Sequence, residues 1–170
     1  TLEKYVKATR NGRGTRLDRK KRMQVWKVFE NYQNLMKENQ IRDINTAMYE
    51  STKLLQSAGR KPRYASIIID EGQDFSDNAY RLIRALAGEE HPNDIFIVGD
   101  SHQRIYRNYP TLSKCGINVR GRSSILKINY RTTEEIRKHA FALLNGISFD
   151  DLDEDLDLGD KCQSLTHGEK

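Results

Sequence analysis

Cysteine is scarce in this sequence, and long apolar runs are absent. The 170 residues include two cysteines, Cys115 and Cys162, which lie far apart and form no C-x-x-C pair. This argues against a disulfide framework or a zinc site and favours a reducing compartment, so we expect a cytoplasmic protein. No secretory signal is present, and no apolar run approaches the roughly 18 residues of a membrane span, so we expect no membrane partner. Because the chain starts at Thr1, we expect that it is cut from a longer protein.

Acidic residues are few over most of the chain. The formal net charge is +5, but residues 150–170 hold eight acidic and two basic side chains, so residues 1–149 carry 27 basic against 16 acidic ones. The excess is densest in residues 1–30, with ten Lys or Arg and three Asp or Glu. A basic surface attracts polyanions such as nucleic acid. A solvated, partly flexible arm has the same composition and is the simpler interpretation of charge alone.

Helical periodicity dominates the first third of the chain. Residues 1–15 show no sustained period and are predicted to be loop or a frayed end. Apolar residues at helical spacing predict a helix over residues 17–38 and a second one that Asp43 would cap. A glycine and a proline end this pattern, so we assign a helical subdomain to residues 1–62.

The pattern then changes to short, continuous apolar runs. "SIIID" and "NDIFIVGD" are separated by an amphipathic helix that Ser76 would cap and Gly88 would end. Runs that are apolar on both faces are typical of a buried parallel sheet flanked by helices. We therefore predict an α/β fold over residues 63–131.

A third apolar run, "SILKINY", ends at Tyr130 and is followed by another predicted helix. Thr132 and Glu135 have capping-box spacing, and Gly146 would close the helix. The acidic stretch "SFDDLDEDLDLGD" that follows is predicted to be a solvated linker. It lacks the glycine and the terminal glutamate that an EF-hand calcium loop requires.

Carboxylates stand directly after the first two predicted strands. Asp70 and Glu71 follow one strand and Asp100 follows the next, and ligands gather at the carboxyl ends of strands in open parallel sheets. An aspartate there can hold a hydrated Mg²⁺ while its neighbour orients or deprotonates a water. An acidic turn after a strand is the alternative, which becomes weaker because Gln73, Asp74 and Phe75 follow.

Three segments, "IIIDEGQDF", "IFIVGDSHQRIY" and "LKINYRTTEEI", resemble motifs II, III and IV of superfamily 1 helicases of the UvrD/Rep type in order and spacing. The resemblance implies part of a RecA-like P-loop NTPase lobe at residues 63–131, after a helical insertion and before the start of a second lobe at 132–170. It implies an ATP-dependent DNA helicase that couples Mg-ATP hydrolysis to travel on single-stranded DNA and unwinding at duplex junctions. ATP and Mg would be its cofactors, and the rest of the helicase chain its partner.

The same resemblance implies roles for the residues of motif II. Asp70 would coordinate the Mg²⁺ of bound ATP, and Glu71 would activate the hydrolytic water. Gln73 and Asp74 would link the nucleotide site to the neighbouring motifs. Gly72 fills the variable place of the family's D-E-x-Q-D pattern.

Motifs III and IV would complete the nucleotide site. Asp100 would lie within it, and Gln103 would sense the γ-phosphate through its neutral amide. Arg131 would reach the γ-phosphate from near the lobe interface, where its planar fork suits phosphate. A salt bridge from Arg131 to Glu134 or Glu135 is the structural alternative.

Aromatic residues after motif III are candidates for DNA contact. Tyr106 matches an aromatic near the path of single-stranded DNA, and stacking on a base is tolerant of sequence. Asn108 stands where many family members have tryptophan, with Tyr109 beside it. Packing of Tyr106 in the core is an open alternative.

A phosphate-cradling loop is not found within these residues. "GINVRGRS" at residues 116–123 approaches the G-x-x-x-x-G-K-[ST] pattern, but a strand-like run follows it where a P-loop would open a helix, so we predict a turn. In the family, the P-loop precedes the helical insertion, and motifs V and VI would follow the acidic stretch. We therefore expect this chain by itself to hydrolyse ATP negligibly.

Two functions of other classes compete with the helicase interpretation. A metal-dependent nuclease would use Asp70, Glu71 and Asp100 to hold two ions, but it would also want a lysine or histidine close by. His102 is the nearest, and a lone histidine there is more often an ordinary loop residue. A non-enzymatic nucleic-acid-binding module would rest on the basic helices of residues 16–38, and its binding would collapse with salt.

Overall fold

The computed structural model describes residues 1–8, 17–58, 64–103, 110–144, 149–150, 156–157 and 162–168. The chain divides into two compact units, Thr1–Ala47 and Met48–Lys170. The domain boundary proposed at residue 62 stays a prediction. None of the helices in the described ranges is both long and apolar enough to cross a membrane.

A short helix, α1 (Leu2–Lys7), lies where the sequence predicted loop, so that prediction was wrong for these residues. Arg22 of helix α2 (Arg19–Glu38) donates hydrogen bonds through Nη1 to the carbonyl oxygens of Val6 and Ala8, at 2.6 and 2.8 Å. These bonds satisfy carbonyl groups that the end of a helix leaves without partners. A contact with a distant part of the chain stabilises α1, and local periodicity does not reveal such a contact.

The two longer helices of the first part of the chain are confirmed. α2 begins after Asp18, whose carboxylate accepts a hydrogen bond from the N–H of Lys21 at 2.8 Å. α3 (Ile44–Ser57) begins after Asp43, whose carboxylate accepts from both the N–H and the hydroxyl of Thr46 at 2.8 Å. The Thr46 hydrogen bonds stabilise the charged carboxylate and hold the pKa of Asp43 below its ordinary value.

A strand–helix–strand unit forms the centre of the second compact unit. Strands β1 (Ile67–Ile69) and β2 (Ile95–Ile97) pair in parallel, and helix α4 (Asp77–Ala87) connects them. Ser76 caps the helix as predicted, and Gly88 ends it with a φ of +81°. This arrangement confirms the α/β class.

The hydrophobic core lies on one face of this small sheet. It includes Ile69, Tyr80, Leu112, Cys115 and Ile117, all buried. On the opposite face, the paired residues Ile68 and Phe96 are 76% and 62% exposed. The sheet is therefore covered on one face by the described residues, whereas the sequence predicted helices on both faces.

The third apolar run forms a shorter strand than predicted. β3 (Ile128–Asn129) pairs in parallel with β6 (Gln163–Ser164) near the end of the chain, which the sequence did not predict. β4 (Phe149–Asp150) and β5 (Leu156–Asp157) form an antiparallel pair. The acidic stretch that was predicted to be a solvated linker therefore contains two short strands.

Helix α5 (Glu134–Ala142) begins one residue later than predicted. Thr133, not Thr132, is its N-cap, and its hydroxyl accepts a hydrogen bond from a backbone N–H of the first turn at 3.4 Å. The Thr132 hydroxyl instead accepts a hydrogen bond from the Asn129 side-chain amide at 2.5 Å. The predicted terminator, Gly146, lies outside the described residues.

Candidate functional site

The two acidic strand ends lie beside each other. The N–H of Val98 donates to the carbonyl of Ile69 at 2.8 Å, and the N–H of Gly72 donates to the carbonyl of Val98 at 2.8 Å. The ladder between β1 and β2 therefore continues past both strands. It places Asp70 and Glu71 next to the backbone that leads into Asp100, as parallel pairing predicts.

Glu71 has an unusual backbone conformation. Its φ of +52° and ψ of +43° lie in the left-handed region, which costs a non-glycine residue on the order of 1–2 kcal/mol. The Asp70 carboxylate accepts a hydrogen bond from the Glu71 N–H at 2.9 Å, and both side chains are exposed. Residues held in this way cluster at functional sites, where the surrounding structure maintains the strain.

A chain of hydrogen bonds connects Glu71 with Gln103. The buried Gln73 amide donates to the Glu71 carboxylate at 2.6 Å and accepts from the N–H of Asp100 at 2.9 Å. The Asp100 carboxylate accepts in turn from the Gln103 amide at 2.9 Å. The structure thus brings four of the predicted site residues into one network.

Asp100 holds the turn that follows β2. Its carboxylate accepts hydrogen bonds from the backbone N–H of His102 at 2.9 Å and lies 3.1 Å from Nδ1 of the His102 ring. Burial alone would raise the pKa of Asp100, but the hydrogen bonds from Gln103 and His102 outweigh it and lower that pKa. Asp100 therefore stays charged and fixes the 3-10 turn Ser101–Gln103.

The remaining predicted site residues differ in whether they contact this network. Asp74 is exposed, and its N–H donates to the Glu71 carbonyl at 3.0 Å. Arg131 is also exposed and follows β3, in a different sheet from β1 and β2. The structure describes no contact that joins Arg131 to the network, so its placement at the nucleotide stays a prediction. The predicted DNA contacts Tyr106, Asn108 and Tyr109 lie outside the described residues.

The structural alternative for Arg131 is not observed. Glu134 pairs with Arg137 at 2.6 Å and with Lys138 at 3.6 Å, and Glu135 lies 3.2 Å from the ring of His167. Over the described ranges, neither glutamate pairs with Arg131.

The P-loop-like segment at residues 116–123 is a turn, as predicted. Gly116 and Gly121 have φ values of +82° and +72°, and β3 follows rather than a helix. The segment therefore lacks the helix N-terminus that a phosphate site of this kind uses.

A two-metal nuclease site receives no support from the geometry. Within the part of the chain that the structure describes, no group of three or more His, Cys, Asp or Glu side chains could hold a metal ion. The Asp100 carboxylate is engaged within its own turn. The nucleic-acid-binding alternative stays a prediction, although the basic segment at its centre does form helix α2.

The sequence assigned no packing role to two glycines and a tyrosine that shape the site. A Cβ built on Gly72 would lie 2.6 Å from Cγ2 of Ile97 and 2.8 Å from the hydroxyl of Tyr80. A Cβ on Gly99 would lie 2.8 Å from the Gln73 side-chain oxygen. The place that the family pattern leaves variable thus requires glycine in this chain, and no local sequence signal shows why.

Replacing Gly99 by alanine should break the bridge between the strand ends. The new methyl group overlaps the Gln73 oxygen that accepts from the Asp100 N–H, and overpacking of this kind costs about 1–3 kcal/mol. Faster hydrogen exchange at the Asp100 amide, with a lower urea midpoint, is the expected result. Unchanged exchange at this amide would contradict the described packing.

Two glutamates at the start of α5 accept hydrogen bonds from the backbone of segment 162–168. Glu134 accepts a hydrogen bond from the N–H of Ser164 at 2.8 Å, and Glu135 accepts from the N–H of Gly168 at 2.7 Å. The pKa of Glu134 falls to about 2, chiefly because its carboxylate accepts a hydrogen bond from the Arg137 side chain. The pKa of Glu135 also falls to about 2, chiefly because its carboxylate accepts from the N–H of Gly168.

These carboxylates predict a specific acid response. Both folded-state pKa values lie below the ordinary value of 4.5, so the stabilisation is present above pH 4.5 and is lost as the pH falls towards about 2. In an NMR titration, the Gly168 amide shift should move with a midpoint near pH 2. Glu135→Gln should abolish this titration and leave that of Ser164 in place, and a Gly168 midpoint at 4.5 would contradict the described contact.

Comparison with known proteins adds a family relationship to this geometry. The family model of the UvrD/REP helicase N-terminal domain matches residues 2–108. The ATP-dependent DNA helicase UvrD1 of Mycobacterium tuberculosis is 25% identical over 144 residues, which cover 71% of this chain and 18% of UvrD1. The ATP-dependent DNA helicase Rep of Buchnera aphidicola is 29% identical over 131 residues, and the match covers 69% of this chain and 19% of Rep. A probable DNA helicase II homolog of Mycoplasma pneumoniae is 33% identical over 109 residues, and the match covers 60% of this chain and 15% of the homolog. The chain spans less than a fifth of the length of these relatives.

Proposed function

Because the chain belongs to the UvrD/Rep helicase family, we propose that its strand ends form part of the Mg-ATP site of an ATP-dependent DNA helicase. The complete protein would couple ATP hydrolysis to translocation on single-stranded DNA and to unwinding at duplex junctions. The hydrogen-bond network from Glu71 through Gln73 and Asp100 to Gln103 carries this proposal. It joins the acid pair of one strand to the amide of the next at the edge of a parallel sheet, where ligands bind.

The donor set suits Mg²⁺ that arrives with a nucleotide. Nucleotide-bound Mg²⁺ keeps several waters and uses one or two carboxylates, and Asp70 and Glu71 are exposed carboxylates at a strand end. Asp70 would hold the ion, which when bound neutralises charge on the phosphates. Glu71 would orient the attacking water and accept its proton, a task for which a carboxylate within hydrogen-bonding reach is suited.

Gln103 and Arg131 would contact the γ-phosphate. The Gln103 amide has two N–H donors, so one can hold Asp100 while the other reaches a phosphate oxygen. Arg131 would approach from near the lobe interface and present its planar fork. Gln73 and Asp74 would link the nucleotide site to the neighbouring motifs.

The fold around the site would be part of a RecA-like lobe. The β1–α4–β2 unit supports this proposal, and the exposed apolar side chains of Ile68 and Phe96 lie where further elements of the same lobe would pack. The rest of the helicase chain would supply those elements. Tyr106, Asn108 and Tyr109 would contact single-stranded DNA, with stacking as the main interaction.

Measuring ATP hydrolysis by two polypeptides of different length tests the proposal. The first is the 170-residue chain, and the second is the longest natural polypeptide that contains it, called here the full-length polypeptide. We expect negligible hydrolysis by the 170-residue chain, because it carries no P-loop lysine, and single-stranded-DNA-stimulated hydrolysis by the full-length polypeptide. Robust hydrolysis by the 170-residue chain that Glu71→Gln abolishes would contradict the expectation that this chain lacks essential parts of the nucleotide site.

A nuclease assay separates the helicase proposal from its main competitor. With Mn²⁺ and no nucleotide, we expect neither polypeptide to cleave single-stranded DNA. Cleavage that Asp70→Asn abolishes would favour the metal-dependent nuclease and overturn the helicase proposal.

A further inference from the structure

The strained backbone of Glu71 requires support from outside its own segment. Its N–H is held by the Asp70 carboxylate and its carbonyl accepts from the N–H of Asp74 at 3.0 Å, both from within the same turn. A left-handed non-glycine residue persists only where the surrounding structure over-determines it. The next peptide, at Gly72, is where such support enters from two other elements.

Gly72 is held on both sides. Its N–H donates to the Val98 carbonyl at 2.8 Å, and its carbonyl accepts from the hydroxyl of Tyr80 at 2.6 Å. Tyr80 belongs to helix α4 and is 0% exposed, and its ring packs edge-on against Phe75 at 5.8 Å. A hydroxyl bonded to a backbone carbonyl in so buried a place fixes that carbonyl in direction as well as in position.

From this arrangement we infer that Tyr80 is a positioning residue for Glu71. Its hydroxyl fixes the carbonyl of Gly72 and thereby the left-handed turn that points the Glu71 side chain. The inference rests on the proposed function of Glu71, since Tyr80 would act on hydrolysis only through that carboxylate. Glycine at position 72 leaves room for the Tyr80 hydroxyl, because a Cβ there would lie 2.8 Å from it.

Tyr80→Phe removes the hydroxyl and keeps the ring. The Gly72 carbonyl retains the N–H of Phe75 at 3.2 Å, so the fold should survive. In the 170-residue chain, the scalar coupling and Cα shift of Glu71 should show that its φ leaves the left-handed region in a measurable fraction of molecules. In the full-length polypeptide, kcat for ATP should fall by about 10–100-fold with KM changed less than twofold, since small misplacement of a reacting group costs up to about 100-fold.

Two control variants separate positioning from loss of stability. Tyr32→Phe removes a hydroxyl that donates to Asp43 at 3.1 Å far along the chain from the site, and it should change neither readout. Phe75→Leu loosens the same core contact but keeps the Tyr80 hydroxyl, so it should lower the melting temperature and leave the Glu71 φ unchanged.

Restoring a donor at position 80 gives the decisive comparison. Tyr80→4-aminophenylalanine keeps the ring and carries an N–H donor in place of the hydroxyl, so the Glu71 φ and kcat should both return towards wild type. No recovery, or a Tyr80→Phe variant with the wild-type φ at Glu71 and wild-type kcat, would overturn the inference. If Glu71→Gln itself leaves hydrolysis intact, the proposed function fails, while the φ measurement still decides what Tyr80 does.

Discussion

Replacing Glu71 by glutamine should lower single-stranded-DNA-stimulated ATP hydrolysis by the full-length polypeptide about 10²–10⁴-fold, the usual contribution of a general base. The change removes the charge but keeps an oxygen that can accept the Gln73 hydrogen bond of 2.6 Å. The strand-end network should therefore persist, and KM for ATP should change little. Steady-state kinetics with saturating single-stranded DNA measure the effect.

Glu89→Gln is the matched control for this variant. Glu89 is exposed, follows helix α4 and is not a member of the strand-end network, so the same chemical change there should leave kcat unaltered. Circular dichroism melting should show both variants folded. If kcat of Glu71→Gln stays within twofold of the wild-type value, Glu71 does not act as the general base.

Replacing Asp94 by alanine should destabilise the second compact unit by about 3–5 kcal/mol, because removing one partner of a buried ion pair leaves the other charge uncompensated. The Asp94 carboxylate accepts from Nη1 of Arg84 at 2.7 Å, and the two side chains are 8% and 14% exposed. Asp94 also accepts from the N–H of Ile95 at 2.7 Å, at the start of β2. Burial would raise the pKa of Asp94, but the Arg84 and backbone hydrogen bonds outweigh it and lower that pKa.

A second ion pair in the same unit gives the control. Arg122 and Glu90 are 50% and 48% exposed, and pairs of this kind contribute about 0–1 kcal/mol, so Glu90→Ala should change stability little. Urea denaturation followed by circular dichroism gives both values, and hydrogen exchange at the Val98 amide, which bonds β1, reports the sheet directly. Equal losses in the two variants would contradict the buried character of the Arg84–Asp94 pair.

Local signals in the sequence were sufficient for the parts of the fold that depend on neighbouring residues. Asp43 and Ser76 cap the helices they were expected to cap, because a cap bonds to a backbone N–H two or three residues on. The acid pair and Asp100 were expected at adjacent strand ends, because continuous apolar runs separated by one helix pair in parallel.

The features that the sequence did not predict depend on residues far apart in the chain. Helix α1 is held by Arg22, and β6 pairs with a strand more than thirty residues earlier. The N-cap of α5 is a local exception, because the Thr132 hydroxyl accepts a hydrogen bond from the Asn129 amide three residues earlier and Thr133 caps the helix. At the site, the closed space around Gly72 follows from Tyr80 and Ile97, which no spacing rule connects to Gly72, and no local sequence signal indicates the left-handed conformation of Glu71.

A crystal structure of the full-length polypeptide with Mg²⁺ and a non-hydrolysable ATP analogue tests the central claim most directly. We predict the metal ion at the Asp70 carboxylate, with the γ-phosphate within hydrogen-bonding distance of the Gln103 amide and the Gln73 bridge from Glu71 to Asp100 intact. Nucleotide and metal bound elsewhere, with the strand ends contacting neither of them, would contradict the account.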